Sequence, residues 1–397
     1  MSQAAKLRAW YAARQGLDGF LDGAAPATVL GRSGWARSVG GVGPYLTLFA
    51  RAGTARQHAD QAVADLEIHE LPAARNCTYV LPAEDFALGL AAGQPFWGGD
   101  WNTARKLGYT EQKLERLCTA VIDALGQGQL EPDAIKQVCG KVITSFGDEG
   151  KKKGLTTSLP LALGKLQSIG EIRRVPTNGR LDQQRYRYSL WRPNPLARFK
   201  LPVEESQVEL ARRYFRWIGP ATPAEFRWFS GLGVKAAQAA IHPLGLVPCE
   251  EVPDRLMLPD DRKAFAAFAV PKEPQYSLVS SIDAISLLRR DRHTLIDPGD
   301  QARQFFGEKG PLAGSSLVDL PNHAIIDRGR LVGIWEYDPE ASQIVWLPFI
   351  KRDRALTAAV ARTEAFVRDQ LGDARSFSLD SPKSRGPKIA ALRKAAG

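Results

Sequence analysis

Between Tyr109 and Trp191 the chain switches between helical and strand-like periodicity in one order, and that order limits the fold most. Tyr109-Thr110-Glu111 sets a Thr cap and an acid ahead of Leu114, Leu117, Val121, Ile122 and Leu125 at helical spacing. Gly126-Gln127-Gly128 stops that helix, and Glu131-Pro132-Asp133 opens a second with Pro where its missing N–H costs nothing. A third is predicted over 157–169, with Leu159, Leu163, Leu166 and Ile169 on one face and Pro160 in its first turn. Two strand-like runs follow at 171–175 and 185–191, joined by Pro176-Thr177-Asn178-Gly179, and Asn-Gly is a strong hairpin signal. Three helices and a hairpin in this sequence form a winged helix-turn-helix. Its third helix is expected to read a major groove, with the hairpin as its wing.

Charge indicates what the hairpin touches. It carries Arg173, Arg174, Arg180, Arg185 and Arg187 against Glu171 and Asp182, and Lys151-Lys152-Lys153 precedes the third helix, which holds Lys165. Lys and Arg contacts to phosphate supply most non-specific affinity for DNA. We therefore expect Lys151, Lys152, Lys153, Thr157, Lys165, Arg173, Arg174, Arg185 and Arg187 to contact double-stranded DNA. Over the whole chain 53 basic and 43 acidic residues leave a net charge of +10. The excess gathers in the middle: residues 155–230 hold 13 Lys or Arg and 6 Asp or Glu. A basic middle suggests a groove for a polyanion.

Four scattered cysteines (Cys77, Cys118, Cys139, Cys249) form no Cys-x-x-Cys pair, and the five histidines are also dispersed, so no metal is expected. The same cysteine usage suits a reducing compartment. The first residues lack an apolar signal core and no apolar run nears the length of a membrane span. With no glycine-rich phosphate loop after a strand, no nucleotide cofactor is expected either. The expectation is a cytoplasmic, nucleoid-associated monomer with no membrane partner and no cofactor.

The fold class expected is α+β, mainly helical: tandem winged modules followed by a mixed C-terminal region. Four units are assigned, at 1–104, 105–195, 196–275 and 276–397. In the first, helices are expected near 6–16, 44–52 and 54–65, strands near 67–71 and 76–81, and Glu84 and Asp85 as acids at a helix start. In the third, Thr222-Pro223-Ala224-Glu225 is a strong helix start, followed by a helix at 234–241 and a second wing. The last unit is expected to hold a meander at 324–327, 331–337 and 343–349, a helix at 356–371 and a frayed basic tail from 381.

Several segments together resemble one family. These are Pro44-Tyr45-Leu46-Thr47-Leu48-Phe49-Ala50-Arg51, Arg75-Asn76-Cys77 with Val80-Leu81-Pro82-Ala83-Glu84-Asp85, and Gly219-Pro220-Ala221-Thr222 with Trp228-Phe229-Ser230-Gly231. Ser281-Ile282-Asp283 with Arg290-Asp291-Arg292, and Leu331-Val332-Gly333-Ile334-Trp335, complete the set. In order, they resemble the winged-helix DNA glycosylases, which excise bulky alkylated bases and unhook interstrand crosslinks. The resemblance covers most of the chain. It implies tandem winged helices, the first unit included, around a C-shaped DNA channel, with the C-terminal meander and helix packed on the N-terminal unit.

One departure from that family bears on chemistry. Its Gln-x-Gln or Gln-x-Asp motif falls near Arg37 and Val39 here, or Ser38 with a one-residue slip, and its Thr and His positions hold Cys77 and Tyr79. Val39 cannot hold water. Hydrolysis of an N-glycosidic bond needs water placed at C1′ or a carboxylate near an oxocarbenium-like charge. Asp283 and Ser38 are therefore the catalytic candidates, although Asp283 reads more readily as a structural hydrogen-bond acceptor and Ser38 as turn chemistry, with Glu84 and Asp85 more suited to helix starts. Arg37 is a phosphate-binding candidate. Trp35, Tyr79 and His323 are channel candidates, but Tyr79 reads more readily as packing, His323 as an ordinary exposed residue, and Trp35 at least as readily as core.

The expected function is hydrolysis of the N-glycosidic bond of alkylated or crosslinked bases in duplex DNA, making this a monofunctional glycosylase of DNA repair. A catalytically silent lesion binder and a transcriptional regulator are the alternatives. The absence of a coiled-coil dimer segment weighs against the regulator. In competition binding against random duplex, a repair protein should show no single preferred operator; a preference of about a thousandfold for one sequence would mark a regulator.

Overall fold

A computed structural model describes residues 2–182, 185–289, 294–307 and 310–397. Arg290-Asp291-Arg292 lies outside the described residues. Within them one pattern occurs three times: a helix, a short strand, two helices and a two-stranded hairpin that the short strand joins. First come the helix Pro26–Ser33, strand Ala36–Arg37, helices Gly43–Ala52 and Arg56–Ala64, and strands Ile68–Pro72 and Thr78–Pro82. The short strand pairs with the last one, Ala36 opposite Val80 and Arg37 opposite Tyr79. The helix and short strand escape sequence inspection because the helix has eight residues with no side-chain cap and the strand has only two.

The second pattern is the basic module. Its helices are Glu111–Leu125, Pro132–Cys139 and Leu159–Ser168, and its wing strands are Ile172–Pro176 and Tyr186–Leu190. Leu130 supplies the short strand by bridging Tyr188. Thr110 caps the first helix as expected, its hydroxyl accepting from the Lys113 amide. Asn178-Gly179 does turn the chain, with Gly179 at φ +77°, but pairing resumes only at Tyr186. The intervening loop is long because it reaches back to the first pattern, where the Leu181 amide donates to the Tyr45 hydroxyl. A short helix, Gly147–Lys152, is an addition. It has no apolar repeat and forms because Gly150 lets the backbone sit against Phe146 and the Leu155 carbonyl.

In the third pattern Val203–Ile218 leads to Ala221, bridged to Leu256, then helices Pro223–Ser230 and Val234–Ile241 and strands Val247–Cys249 and Val252–Met257. Thr222 and Glu225 make the expected reciprocal cap. Beyond it, antiparallel strands run in the spatial order Gln343–Pro348, Arg330–Asp338, His323–Asp327, Tyr276–Val279. The tail is not frayed: Ser381 caps a helix, Pro382–Ala396, that buries Ile389 and Leu392 against this sheet. No described helix is long and apolar enough to cross a membrane.

Two kinds of contact hold the patterns together. Aromatic packing joins the first and third: Trp35 lies edge-on to Trp217 at 5.3 Å, and Tyr79 edge-on to Phe229 at 6.3 Å. The second contact is polar and fully buried. Arg51 meets Asp283 through Nη1 to Oδ2 at 2.9 Å and Nη2 to Oδ1 at 2.7 Å. Thr47 and the Ile285 amide fill the remaining carboxylate positions. Arg51 also donates to Gln15, which holds the Trp217 carbonyl.

Removing one partner of such a pair leaves an unpaired buried charge, so Asp283→Ala should lower unfolding free energy by about 3–5 kcal/mol in urea titrations. Arg51 holds the Asp283 pKa below the usual carboxylate value despite burial. The stability this carboxylate contributes is therefore complete above its unfolded pKa and is lost as pH falls towards the lower folded one. The variant should flatten that acid limb, and an unchanged limb would show that the pair is not coupled to folding.

Candidate DNA interface and active-site region

The segment from Trp35 to Pro44 carries the positions at which related chemistry is expected. Trp35 is a core residue: its indole donates to Asp85 at 2.8 Å and its ring is 2% exposed. Asp85 is thereby an internal acceptor, paired also with Arg213 at 3.0 Å, and makes no helix-cap bond. Glu84 is exposed. Arg37 lies over the Tyr79 ring at 5.3 Å and donates to the Thr78 carbonyl at 2.5 Å. Its neighbour Ser38 is fully buried and its hydroxyl donates to Glu70.

Glu70 was not foreseen. It sits on the strand Ile68–Pro72, whose first four residues are all buried, so one acid lies enclosed there. Burial pushes its pKa up, against the Ser38 hydrogen bond and the charges of Arg174 and Arg37. The cavity beside it, lined by Val63, His69, Arg174, Pro176, Leu181 and Tyr186, is too small for a water molecule. Among the described residues His69 next to it has no hydrogen-bond partner on either ring nitrogen, and burial with Arg173 nearby drives its pKa down to about 3. The sequence signal was His69-Glu70 within an otherwise apolar strand.

The glycine run that follows is closed by the chain's own C-terminal segment. The Val42 amide donates to the Arg375 carbonyl and the Ser378 amide to the Val39 carbonyl. A Cβ on Gly41 would lie 2.3 Å from the Ser376 carbonyl oxygen, so glycine is required for this crossing. These glycines therefore accommodate backbone of the same chain.

On the other face of the segment is a narrow crevice lined by Trp35, Arg37, Tyr79, Trp228, Phe229, Ile282 and Leu287. Arg75 bounds it, its guanidinium 4.1 Å from the Trp228 ring centre. Arg75 and Asn76 both have left-handed backbone, at φ +58° and +56°. That is uncommon for residues with side chains and aims the turn at the third pattern. Among the described residues neither Arg37 nor Arg75 has a carboxylate at ion-pair distance. Neither is paired directly, so both half-buried guanidiniums favour an anion beside them, Arg37 the less because it also feels the Glu70 charge.

Several expected site residues are elsewhere. Asp283, with both oxygens engaged and 1% exposed, is a structural acceptor that also caps the helix Ala284–Leu287. It cannot polarise water for an external substrate. His323 is buried in the sheet: its Nδ1 accepts from the Ser281 amide, so Nε2 carries the proton to the Ala374 carbonyl. The helix expected to read a groove is buried on most sides, with Leu159, Leu161, Ala162, Leu163, Leu166, Gln167 and Ser168 all enclosed. Its Lys165 is tied to Glu115, and Thr157 pairs with Ser145 in an isolated bridge. Packing on several elements leaves that helix only a narrow strip at Pro160, Gly164 and Lys165 towards solvent.

The wing divides its arginines by strand alternation. Arg174 faces inward to Glu70, Tyr186 and Tyr188 and is held charged there; Arg173 is half-buried, and burial lowers its pKa. Arg185 and Arg187 are exposed, as are Lys151, Lys152 and Lys153, the last near Glu149 at 3.8 Å. A cleft of about 880 Å³ lies at the far end of the first hairpin. It mixes Arg14, Arg32 and Arg216 with Glu67, Glu84, Asp260 and Asp261, which suits a duplex poorly.

Three winged patterns with exposed cations on the second wing describe the architecture of a winged-helix protein. A DNA glycosylase AlkZ-like family model matches residues 42–377, and the chain belongs to that family. Its fold is shared with the Streptomyces sahachiroi DNA glycosylase AlkZ, at a TM-score of 0.68 and 21% identity over 95% of this chain and 98% of that one. No curated protein sequence matches the chain.

The division of the wing can be measured. Arg185→Ala and Arg187→Ala should each flatten the dependence of log affinity on log salt by about one unit, whereas Arg174→Ala should lower thermal stability with little change in slope. Equal slopes for all three would place the DNA elsewhere.

Proposed function

We propose that the protein excises damaged bases from duplex DNA by hydrolysing the N-glycosidic bond, with Glu70 and Ser38 replacing the family's polar motif. The carrying observation is the Ser38 hydroxyl donating to the buried Glu70 carboxylate, on the strand segment where that motif falls. Exposed Lys151, Lys152, Arg185 and Arg187 would hold the duplex by its phosphates. Arg37 and Arg75 would take the phosphates beside the lesion, and the narrow aromatic crevice between them would have to open to receive a displaced base.

An alkylated purine leaves as a good leaving group, so acid catalysis matters little. The demand is a water held at C1′ and negative charge opposite the sugar as it becomes cationic. Ser38 can hold that water if it turns from Glu70, and Glu70 can accept the proton. Arg37 opposes a cationic sugar by its own charge; bound to phosphate it is neutralised. Bulky alkylated and crosslinked bases are the substrates we favour.

A second reading, lesion binding without hydrolysis, is favoured by the closed cavity at Glu70 and by Val39. Incubation with duplexes bearing N7-alkylguanine or a crosslink, followed by cleavage of abasic sites, separates the two. Hydrolysis predicts product above buffer, a rate that rises with pH through the raised Glu70 pKa, and a loss of about a hundredfold or more in Glu70→Gln. Product with an unaltered Glu70→Gln rate removes Glu70, and no product with tight lesion binding supports the silent binder.

A further inference from the structure

The segment that closes the glycine run ends in an apolar tip. Leu379 is 89% exposed, the most exposed large apolar side chain among the described residues, and Phe377 is 46% exposed. A lone exposed leucine needs no explanation, but this pair stands on a braced support. Gly40 bridges Phe377, and Ser378 donates to Val39. Ser376 bonds Ser281 at 2.8 Å, and Asp373 holds Arg385 at 2.7 Å. At the tip, Asp380 accepts from the Phe377 amide at 2.9 Å and returns its own amide to the Phe377 carbonyl, fixing a tight turn. The backbone is thus held on both sides while two large apolar side chains are left in solvent.

Position and charge identify what covers them. The tip is hydrogen-bonded to the segment holding Arg37 and Ser38, so a molecule that reaches that segment also meets the tip. Cations flank it in the chain: Arg375, directed to the Asp182 carbonyl in the wing loop, and exposed Lys383 at the start of the last helix. Apolar side chains between cations fit a surface of stacked bases edged by phosphates. Reaction on a base also requires it to leave the stack, which opens a gap that an apolar side chain can fill.

We propose that Phe377 and Leu379 form a wedge that enters the duplex beside the damaged nucleotide. This rests on the glycosylase reading above for its substrate. It concerns opening of the stack, whereas Glu70 and Ser38 concern cleavage.

The test uses the full chain and a duplex carrying 2-aminopurine next to N7-methylguanine, with the corresponding single strand as control. The wild type should raise 2-aminopurine fluorescence on the duplex. Phe377→Ser with Leu379→Ser should abolish that rise and weaken duplex binding by about tenfold, with single-strand binding and melting temperature unchanged. Leu379→Met, which keeps the apolar bulk, should retain the rise. No rise with wild type, a rise that persists in the double variant, or equal weakening on both strands would overturn the wedge. Loss of the rise in the double variant, when neither protein releases base, supports the wedge and rejects hydrolysis. Base release at equal rates by both proteins supports hydrolysis and rejects the wedge.

Discussion

The paired charges of Arg51 and Asp283 tie distant parts of the chain to one another. Arg51 leaves the last turn of the helix Gly43–Ala52, and Asp283 caps a short helix after the strand Tyr276–Val279. Gln15, from the turn after the first helix, bridges Arg51 to the Trp217 carbonyl. One buried guanidinium therefore sets the relation between the N-terminal helix, the first winged pattern, the third and the C-terminal sheet. Because both charges are desolvated, the arrangement survives only with every donor and acceptor aligned. That requirement gives it positional specificity, beyond any net stability.

The basic module is attached differently. Its core, built on Leu114, Leu117, Val121, Leu163 and Leu166, is its own. It joins the first pattern through Trp191 against His69 and Phe86, and through Arg174 near Glu70. A half-polar contact of this kind gives the two wing strands different purposes. Inward arginine charge supports the buried Glu70, and outward arginines at 185 and 187 remain for solvent or phosphate. The local count of positive charge therefore overstates what is available to DNA.

The same economy shapes the site. Where related chemistry expects polar residues on the segment after Trp35, this chain has a cation on an aromatic ring, a buried serine and a valine. Its nearby carboxylate comes from the adjacent hairpin. Electrostatically, that moves negative charge behind the segment and positive charge in front of it. Recognition of phosphate gains from this directly, and hydrolysis gains only if Ser38 and Glu70 rearrange when DNA binds.

Local chemistry was readable in the residues: the Thr110 and Thr222 caps, the Pro160 and Pro223 first turns, the Asn178-Gly179 turn and the alternating strands of the meander each depend on neighbours a few positions away. So did the winged order of the basic module, because helix and strand periods and their stops are local quantities. Burial was not readable, since it depends on what packs from elsewhere. Asp283 looks like any strand-end acid until Arg51 reaches it, and Glu70 like any surface glutamate until Ser38 and Arg174 enclose it. The helix Leu159–Ser168 was identified, but its enclosure by other elements was not. Sequence by itself determined most of the elements, though not the helices Pro26–Ser33, Gly147–Lys152 and Pro382–Ala396, and how much charge they carry. Only the tertiary structure decided which charges are consumed inside and which face outward, because a charge's role depends on its partners' distance and on the water excluded around it.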